Sequence, residues 1–404
     1  MTTALRTTAP TATTAPAGSS RTRRAHLHQL DLVRGSTFLL VIFCHVLTNT
    51  NDEVNGVVTN ALGMAGHFTR NSFFFLTGFV LMYGNFAKKD FSTWQFWTRR
   101  LKLVAIPYLI WSVVYWAFST VQASGWSALP FSLRTLRDGL LWGTSGFHLY
   151  FIFVIMQFYL LFPLILWVVR ATRNHHVLLL TASLAVQMGV LLAIEHLPPV
   201  LTPGSWIADN WWHAYSTFLP YQFFVVLGAV VAVHRDRVDA FLRGKGWWIV
   251  GALVASGAFA LVTYMMRLDE GQRAVDAAFA LQPTLQPFIL CAITALYAAA
   301  VFWADRRDGT PRFNRVVSYA SNRSFAIFLS HVFVLQLLIL PRGLPGVEHG
   351  WFEQHLGSPW ATAVVYVLTV SITLVVAECL RRAPGALYLT GRPRVAFRRS
   401  AQAT

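Results

Sequence analysis

The chain alternates long apolar runs with short polar connections, and the runs are too long for the interior of a soluble domain. Ten of them, at about 31–49, 67–84, 101–121, 148–169, 176–194, 218–234, 247–266, 284–304, 318–340 and 360–380, have the roughly 17 to 25 residues that a helix needs to cross a ~30 Å hydrocarbon layer. Helix is the expected form, because backbone N–H and C=O groups inside a bilayer must be paired within the segment itself. The pattern predicts an all-α polytopic integral membrane protein of about ten transmembrane helices. Composition agrees: the 404 residues are 55% hydrophobic and 12% charged, with a mean hydropathy of +0.49.

A net charge of +16 raises the question of nucleic acid, but the basic residues are not gathered on a polar domain that could cover a phosphate backbone. They fall in alternate loops. Arg21, Arg23 and Arg24 precede the first span, and Lys88, Lys89, Arg99, Arg100 and Lys102 follow the second. Arg170 and Arg173, then Arg235, Arg237, Arg243 and Lys245, then Arg306, Arg307, Arg312 and Arg315 mark the later connections. By the positive-inside rule these loops are cytoplasmic, which puts both termini of an even-numbered bundle in the cytoplasm and the protein in the cell membrane. Residues 1–25, rich in Thr, Ala and Pro and without an apolar stretch, are expected to form a disordered cytoplasmic tail and not a signal peptide. Residues 26–383 form the expected transmembrane domain and 384–404 a basic cytoplasmic tail. Cys44, Cys291 and Cys379 all fall in spans, where they act as small core hydrophobes.

Ionisable side chains change this picture, because inside a bilayer they are costly and mark a path for substrate, ions or protons. Arg34 and His45 lie eleven positions apart in LDLVRGSTFLLVIFCHVL. Eleven steps of ~100° return almost to the starting azimuth and climb ~16 Å, so guanidinium and imidazole share one stripe at different depths. Asp31, one turn before Arg34, joins it. Arg34 near a span end can alternatively snorkel to the interface; His45 is deeper.

Other polar groups converge on the same two levels. His67, Arg70 and Asn71 open the second span and His148 opens the fourth, at the level of His45, while His331 lies within the ninth. Arg99, Arg100, Lys102 and Arg323 surround the level of Arg34. Each has a plainer reading: Arg99, Arg100 and Lys102 as topology determinants, His67 and His148 as interfacial residues, His331 as a packing hydrogen bond between helices. Glu378 sits near the end of the last span, where Arg381 and Arg382 one turn on can neutralise it. No Gly-rich phosphate loop, HExxH, cysteine-pair site or GxSxG elbow occurs in usable context, so no metal is expected.

Five stretches, in order, resemble the membrane acyltransferase 3 family. LHQLDLVRGSTFLLVIFCH resembles its first helix, with an Asp-x-x-Arg start and Arg-x10-His spacing. NSFFFLTGFVL is similar to its Phe-Phe-x-x-Ser-Gly-Phe segment, with Thr77 in the Ser place and Gly78 kept. WTRRLKLVAIPYLIW, GFHLYFIFVIMQFYLLFPLI and SYASNRSFAIFLSHVFVL resemble its third, fourth and late helices. Leu103 stands at the last position of an Arg-Arg-x-x-Arg motif often present at the third helix. Many relatives also carry a soluble domain after the membrane part, and this chain is expected to be a stand-alone form.

The resemblance implies transfer of an acyl group, often acetyl, from cytoplasmic acyl-CoA to a hydroxyl of a carbohydrate or related acceptor at the outer face, as in polysaccharide modification in the cell envelope. No cofactor is bound permanently; acyl-CoA is a substrate. On this reading His45 is the general base, with Arg34 and Asp31 on its stripe. Arg34, Arg99, Arg100, Lys102 and Arg323 hold the donor's phosphates, and Arg70, Asn71, His67, His148 and His331 face the acceptor. The alternative is a secondary transporter or flippase of a glycolipid or sugar, in which the same residues bind substrate or relay protons. Transporters often show repeated halves with broken helices near midplane, and the Arg-x10-His stripe occurs once.

Overall fold

The computed structural model describes residues 26–198, 201–342, 344 and 346–395, so the expected tail over 1–25 and residues 396–404 lie outside the described residues. The helices are α1 (His28–Asn49), α2 (Val57–Gly66), α3 (Phe68–Asn85), α4 (Thr93–Ser124), α5 (Leu133–Trp142), α6 (Tyr150–Ala171), α7 (His176–His196), α8 (Trp206–Asn210), α9 (Gln222–Val233), α10 (Arg235–Leu242), α11 (Gly246–Asp269), α12 (Ala274–Ala277), α13 (Gln286–Arg306), α14 (Pro311–Leu338), α15 (Trp351–Leu356), α16 (Trp360–Arg382) and α17 (Ala386–Thr390). Among the described residues there is no strand. The protein is an all-α polytopic membrane protein. Among the described residues, eight helical stretches are long and apolar enough to cross a membrane. The other two expected spans are present as α3 and α14, whose mean hydropathy is lowered by polar residues such as Arg70, Asn71 and Ser72, and Arg312, Arg315 and Arg323.

Two spans differ from the sequence pattern in an instructive way. The third begins at Thr93, where the Ser92 hydroxyl accepts from the Gln95 amide, so Arg99, Arg100 and Lys102 lie within α4 and not on its threshold. The sixth is not one continuous helix. Pro220 interrupts it, and α9 is reached through 3-10 turns at Trp211–Ser216 and Leu219–Tyr221. The carbonyls that this leaves without a helical partner are met by side chains of neighbouring helices. Gln157 donates to Ser216 O (2.7 Å) and accepts from Phe218 N (2.9 Å), while Gln187 donates to Pro220 O. Irregular backbone at membrane depth is tolerated where protein groups satisfy it in this way.

Helix α1 is central, packed by α2, α3, α13, α14 and α16. Its lower part, Leu30 and Val33, belongs to an apolar cluster built with α3, α6, α9 and α13; Phe38, Ile42 and Val46 belong to a second one built with α4, α14 and α16. Helices α3 and α9 approach each other closely along their length. A Cβ on Gly78 would lie 1.9 Å from the Val225 carbonyl, and one on Gly228 would lie 2.0 Å from the Phe75 carbonyl. Reciprocal glycines let the two backbones touch, the small-residue packing that membrane helices use in place of a hydrophobic driving force.

Cross-helix contacts show that the basic loops gather at one end of the bundle. Arg170 at the end of α6 donates to the carbonyls of Asn85, Phe86 and Lys88 after α3. Ser321, about three turns into α14, meets Asp31 at the start of α1, and Arg323 pairs with Glu378 near the end of α16. Arg243 pairs with Asp305 at the end of α13. The first part of the expected C-terminal tail also returns to the bundle: the Val395 amide donates to Arg381 O (2.9 Å) at this end, and the Trp111 indole, further along α4, donates to Leu389 O (3.1 Å).

Candidate active site

At the end of the bundle away from the basic loops, three imidazoles come together from three elements. His45 stacks on His331 with ring centroids 5.5 Å apart, and His148, just before α6, meets His331 at 5.3 Å. His331 and His148 are buried, 0% and 3% exposed, and His45 is half-buried against Phe147. His331 directs Nδ1 at the Phe328 carbonyl (2.8 Å) and the Ile327 carbonyl (3.1 Å). Nδ1 therefore carries the proton in the neutral ring, and Nε2, which has no partner, presents a lone pair. Neither nitrogen of His148 makes a well-formed hydrogen bond; the Leu329 carbonyl within its reach already accepts from Tyr115.

The Tyr115 hydroxyl is inserted into the backbone of α14. It donates to Leu329 O (2.8 Å) and accepts from Phe333 N (2.9 Å), the two groups that an undisturbed α-helix pairs with each other. A side chain in the i→i−4 ladder is a recognised cause of local helix distortion, and here it falls on the two sides of His331. The Tyr115 ring also meets His148 edge-on at 4.9 Å.

His67, Arg70 and Asn71 stand beside this trio on the threshold of α3. His67 donates to Ala278 O (3.0 Å) and lies within electrostatic reach of both His45 and Arg70. The Arg70 guanidinium donates to the Tyr150 hydroxyl (3.1 Å) and Ala280 O (3.3 Å) and lies 4.9 Å from the centre of the Tyr221 ring. It enters no ion pair among the described residues, and its buried Nε has no partner; the Asn71 Oδ1 is buried without one as well. A cation held by a hydroxyl, a carbonyl and a ring face keeps its charge available to an anion or a polarised oxygen.

At the basic end Asp31, Ser321 and Arg34 form a chain. Ser321 Oγ donates to Asp31 (2.6 Å) and accepts from Arg34 Nη1 (3.1 Å), while His26 closes on the other Asp31 oxygen. His26, His28 and Asp31 have ligand-type atoms within 4.8 Å of one another. Asp31 is already committed to Ser321, and both positive charges, Arg34 and Arg307, and the negative Asp308 lie beside the group. Of the basic residues leading α4, Arg100 is half-buried and within reach of Tyr159, whereas Arg99 and Lys102 are exposed. Arg323 donates to Glu378 (2.5 Å) with its guanidinium 3.6 Å from the Tyr319 ring centre, so it is held in an ion pair. Arg382 also pairs with Glu378; Arg381, expected to share that carboxylate, does not.

The family model described as an acyltransferase domain matches residues 27–378. The chain belongs to the acyltransferase 3 family. Comparison with curated proteins and with solved structures found no match. The match covers the whole of α1 to α15 and nearly all of α16, so both ends of the bundle just described lie within the acyltransferase domain.

In this acyltransferase the sequence pattern brought forward the three imidazoles, Arg34 and Arg100, and the structure groups them at two levels of one bundle. It missed Tyr115 and Ser321. Tyr115 carried no signal, since a tyrosine near a span end reads as an interfacial anchor. Ser321 was visible only as the head of SNRSF, four positions after Val317 on the buried face of α14.

Proposed function

We propose that the protein is an O-acyltransferase that takes a small acyl group such as acetyl from acyl-CoA at the basic end and delivers it to a hydroxyl of a carbohydrate or related acceptor at the histidine end. The observation that carries this reading is the arrangement along α1. Arg34 belongs to a cationic end and His45 to an imidazole trio, and their eleven-residue separation on one helix corresponds to ~16 Å. An extended pantetheine arm spans that distance. Arginines at its nucleotide end would bind phosphate through charge-assisted hydrogen bonds, and the thioester would stand beside the histidines.

The chemistry is a balanced acyl transfer. His45 takes the acceptor's hydroxyl proton as the oxygen attacks the thioester carbonyl; the C–O bond forms, the C–S bond breaks, and the proton returns to the leaving thiolate to give free CoA. Arg70, with its charge uncommitted to any carboxylate, orients acceptor oxygens, with His67 and Asn71 beside it. His148 and His331 border the reacting groups, and the lone pair on His331 Nε2 accepts a hydrogen bond there. Positive-inside reasoning places the basic end in the cytoplasm, so the acyl group crosses the membrane and CoA does not.

Sealed proteoliposomes test this. Acyl-CoA supplied on the side of the termini should acylate an acceptor enclosed on the other side, with free CoA released where the donor was added. Intact acyl-CoA or unmodified acceptor crossing the bilayer, with no acylated product, would overturn the reading in favour of transport.

A further inference from the structure

The C-terminal segment after α16 folds back over the basic end instead of leaving it, and several bonds hold it there. Trp111 donates to Leu389 O, the Val395 amide to Arg381 O, and Arg394 Nε to Arg382 O (2.7 Å). Gly391, with a φ of 61°, seats the end of α17 on α4 so closely that a Cβ would lie 2.3 Å from the Leu103 carbonyl. This brings Arg392 beside the turn of α4 where Leu103 stands in place of the third arginine that the resemblance leads one to expect. The Arg392 charge is within reach of Arg34, Tyr159 and Arg381, and Tyr159 is within reach of Arg34 and Arg100 as well. Arg381 has Nε and Nη1 buried without a hydrogen-bond partner.

The nearby carboxylates do not balance these charges. Glu378 is taken by Arg323 and Arg382, and Asp31 by Ser321 and His26. Among the described residues neither Arg100, Arg381 nor Arg392 enters an ion pair with any carboxylate. Asp31 and Glu378 lie within electrostatic reach of Arg34 and Arg381 but are hydrogen-bonded elsewhere, so the guanidinium charges are only partly offset, and a bound phosphate would relieve their mutual repulsion while satisfying their N–H donors.

We propose that Arg381 and Arg392 complete, with Arg34 and Arg100, a phosphate-binding cluster that takes the nucleotide phosphates of the donor. This rests on the acyl-CoA reading. The C-terminal fold-back thereby supplies a donor-binding residue that lies beyond the part of the chain matched by the family model.

The test is titration of CoA against the full-length protein in nanodiscs of zwitterionic lipid. Arg392→Ala and Arg381→Ala should each weaken CoA binding about tenfold, since one charge-assisted contact is worth about that much. Turnover should show a raised KM for the donor with kcat at saturation unchanged, which a merely structural disturbance of the bundle would not produce. Arg312→Ala removes an exposed charge from the same end and should change nothing. Should Arg392→Ala fail to fold, Arg392→Gln, which removes the charge but keeps more of the side chain and a polar end, gives the same reading. If the wild type binds CoA and both variants bind it equally well, the cluster is not a donor site, although the acyl-CoA reading stands. If the wild type binds no CoA, that reading fails and takes this one with it. If Arg392→Ala leaves CoA affinity intact but abolishes thermal stabilisation by phosphatidylglycerol, the phosphate held is a lipid headgroup and the proposal is overturned.

Discussion

His45 and His331 stack across the α1–α14 contact with ring centroids 5.5 Å apart, and only one of the two is tied to the backbone. His331 is fixed by its own helix, while among the described residues no hydrogen bond holds the half-buried His45 ring. A general base must be free to exchange a proton with its substrate, and a positioned one contributes about 10²–10⁴-fold. His45→Ala should therefore lower acyl transfer by at least a hundredfold while acyl-CoA binding, measured by calorimetry, stays within about twofold. Full activity in this variant would remove His45 from the reaction.

The two adjacent arginines of α4 should behave differently. Arg100 is half-buried in the cationic cluster and Arg99 is exposed. Charge-assisted contacts to phosphate contribute about 1.5–3 kcal/mol, so Arg100→Ala and Arg34→Ala should each raise the dissociation constant for acyl-CoA roughly ten- to a hundredfold. Arg99→Ala should shift it less than threefold. Equal losses for Arg99 and Arg100 would show that both act through the general field of that end and not through contact.

The helices and the two polar levels were legible because hydropathy and helical azimuth are local properties: Arg34 and His45 share a stripe by spacing alone. Pairings across the bundle were not. Nothing near Arg323 in sequence announces Glu378, and the local reading assigned that carboxylate to Arg381 as well as Arg382, whereas the cross-helix partner Arg323 takes part of it. The break in the sixth span was written in Pro220, but its rescue by Gln157 and Gln187 depends on helices brought in by tertiary packing. Arg392 was hidden for the opposite reason, since a basic stretch near the terminus reads as a solvated tail until the fold-back through Gly391 is seen.

Tyr115→Phe should separate activity from stability. Without the hydroxyl, Leu329 O and Phe333 N–H are free to pair with each other, so the folded state should lose only about 1 kcal/mol, and the melting temperature should move by a few degrees. Closing the ladder changes the turn that carries His331, and the ring would no longer meet His45 and His148 as it does now. Acyl transfer should drop about tenfold with acyl-CoA affinity unchanged. Unaltered kcat in a folded Tyr115→Phe protein would show that the insertion serves packing alone.

The glycine contact between α3 and α9 makes the sharpest prediction about the fold. A methyl group at Gly78 would have to occupy space 1.9 Å from the Val225 carbonyl, and one at Gly228 space 2.0 Å from the Phe75 carbonyl. Both obstacles are backbone, so neither can swing aside as a side chain would, and the helices must separate. Overpacking of this kind costs about 1–3 kcal/mol or more, and separation would also disturb Phe74, whose ring stacks on Tyr221 with centroids 4.5 Å apart. Because Tyr221 supports Arg70, the acceptor side of the site should suffer with the fold. Gly84 on the same helix is the internal control: a Cβ there meets nothing within 4 Å, and alanine is favoured over glycine in a helix by about 1 kcal/mol. Detergent-solubilised Gly78→Ala and Gly228→Ala proteins should melt several degrees lower and give less monodisperse protein on size exclusion, while Gly84→Ala should melt at or above the wild-type temperature. If all three alanine variants behave alike, the reciprocal glycine contact does not hold α3 against α9, and the position of Arg70 must be set by other contacts.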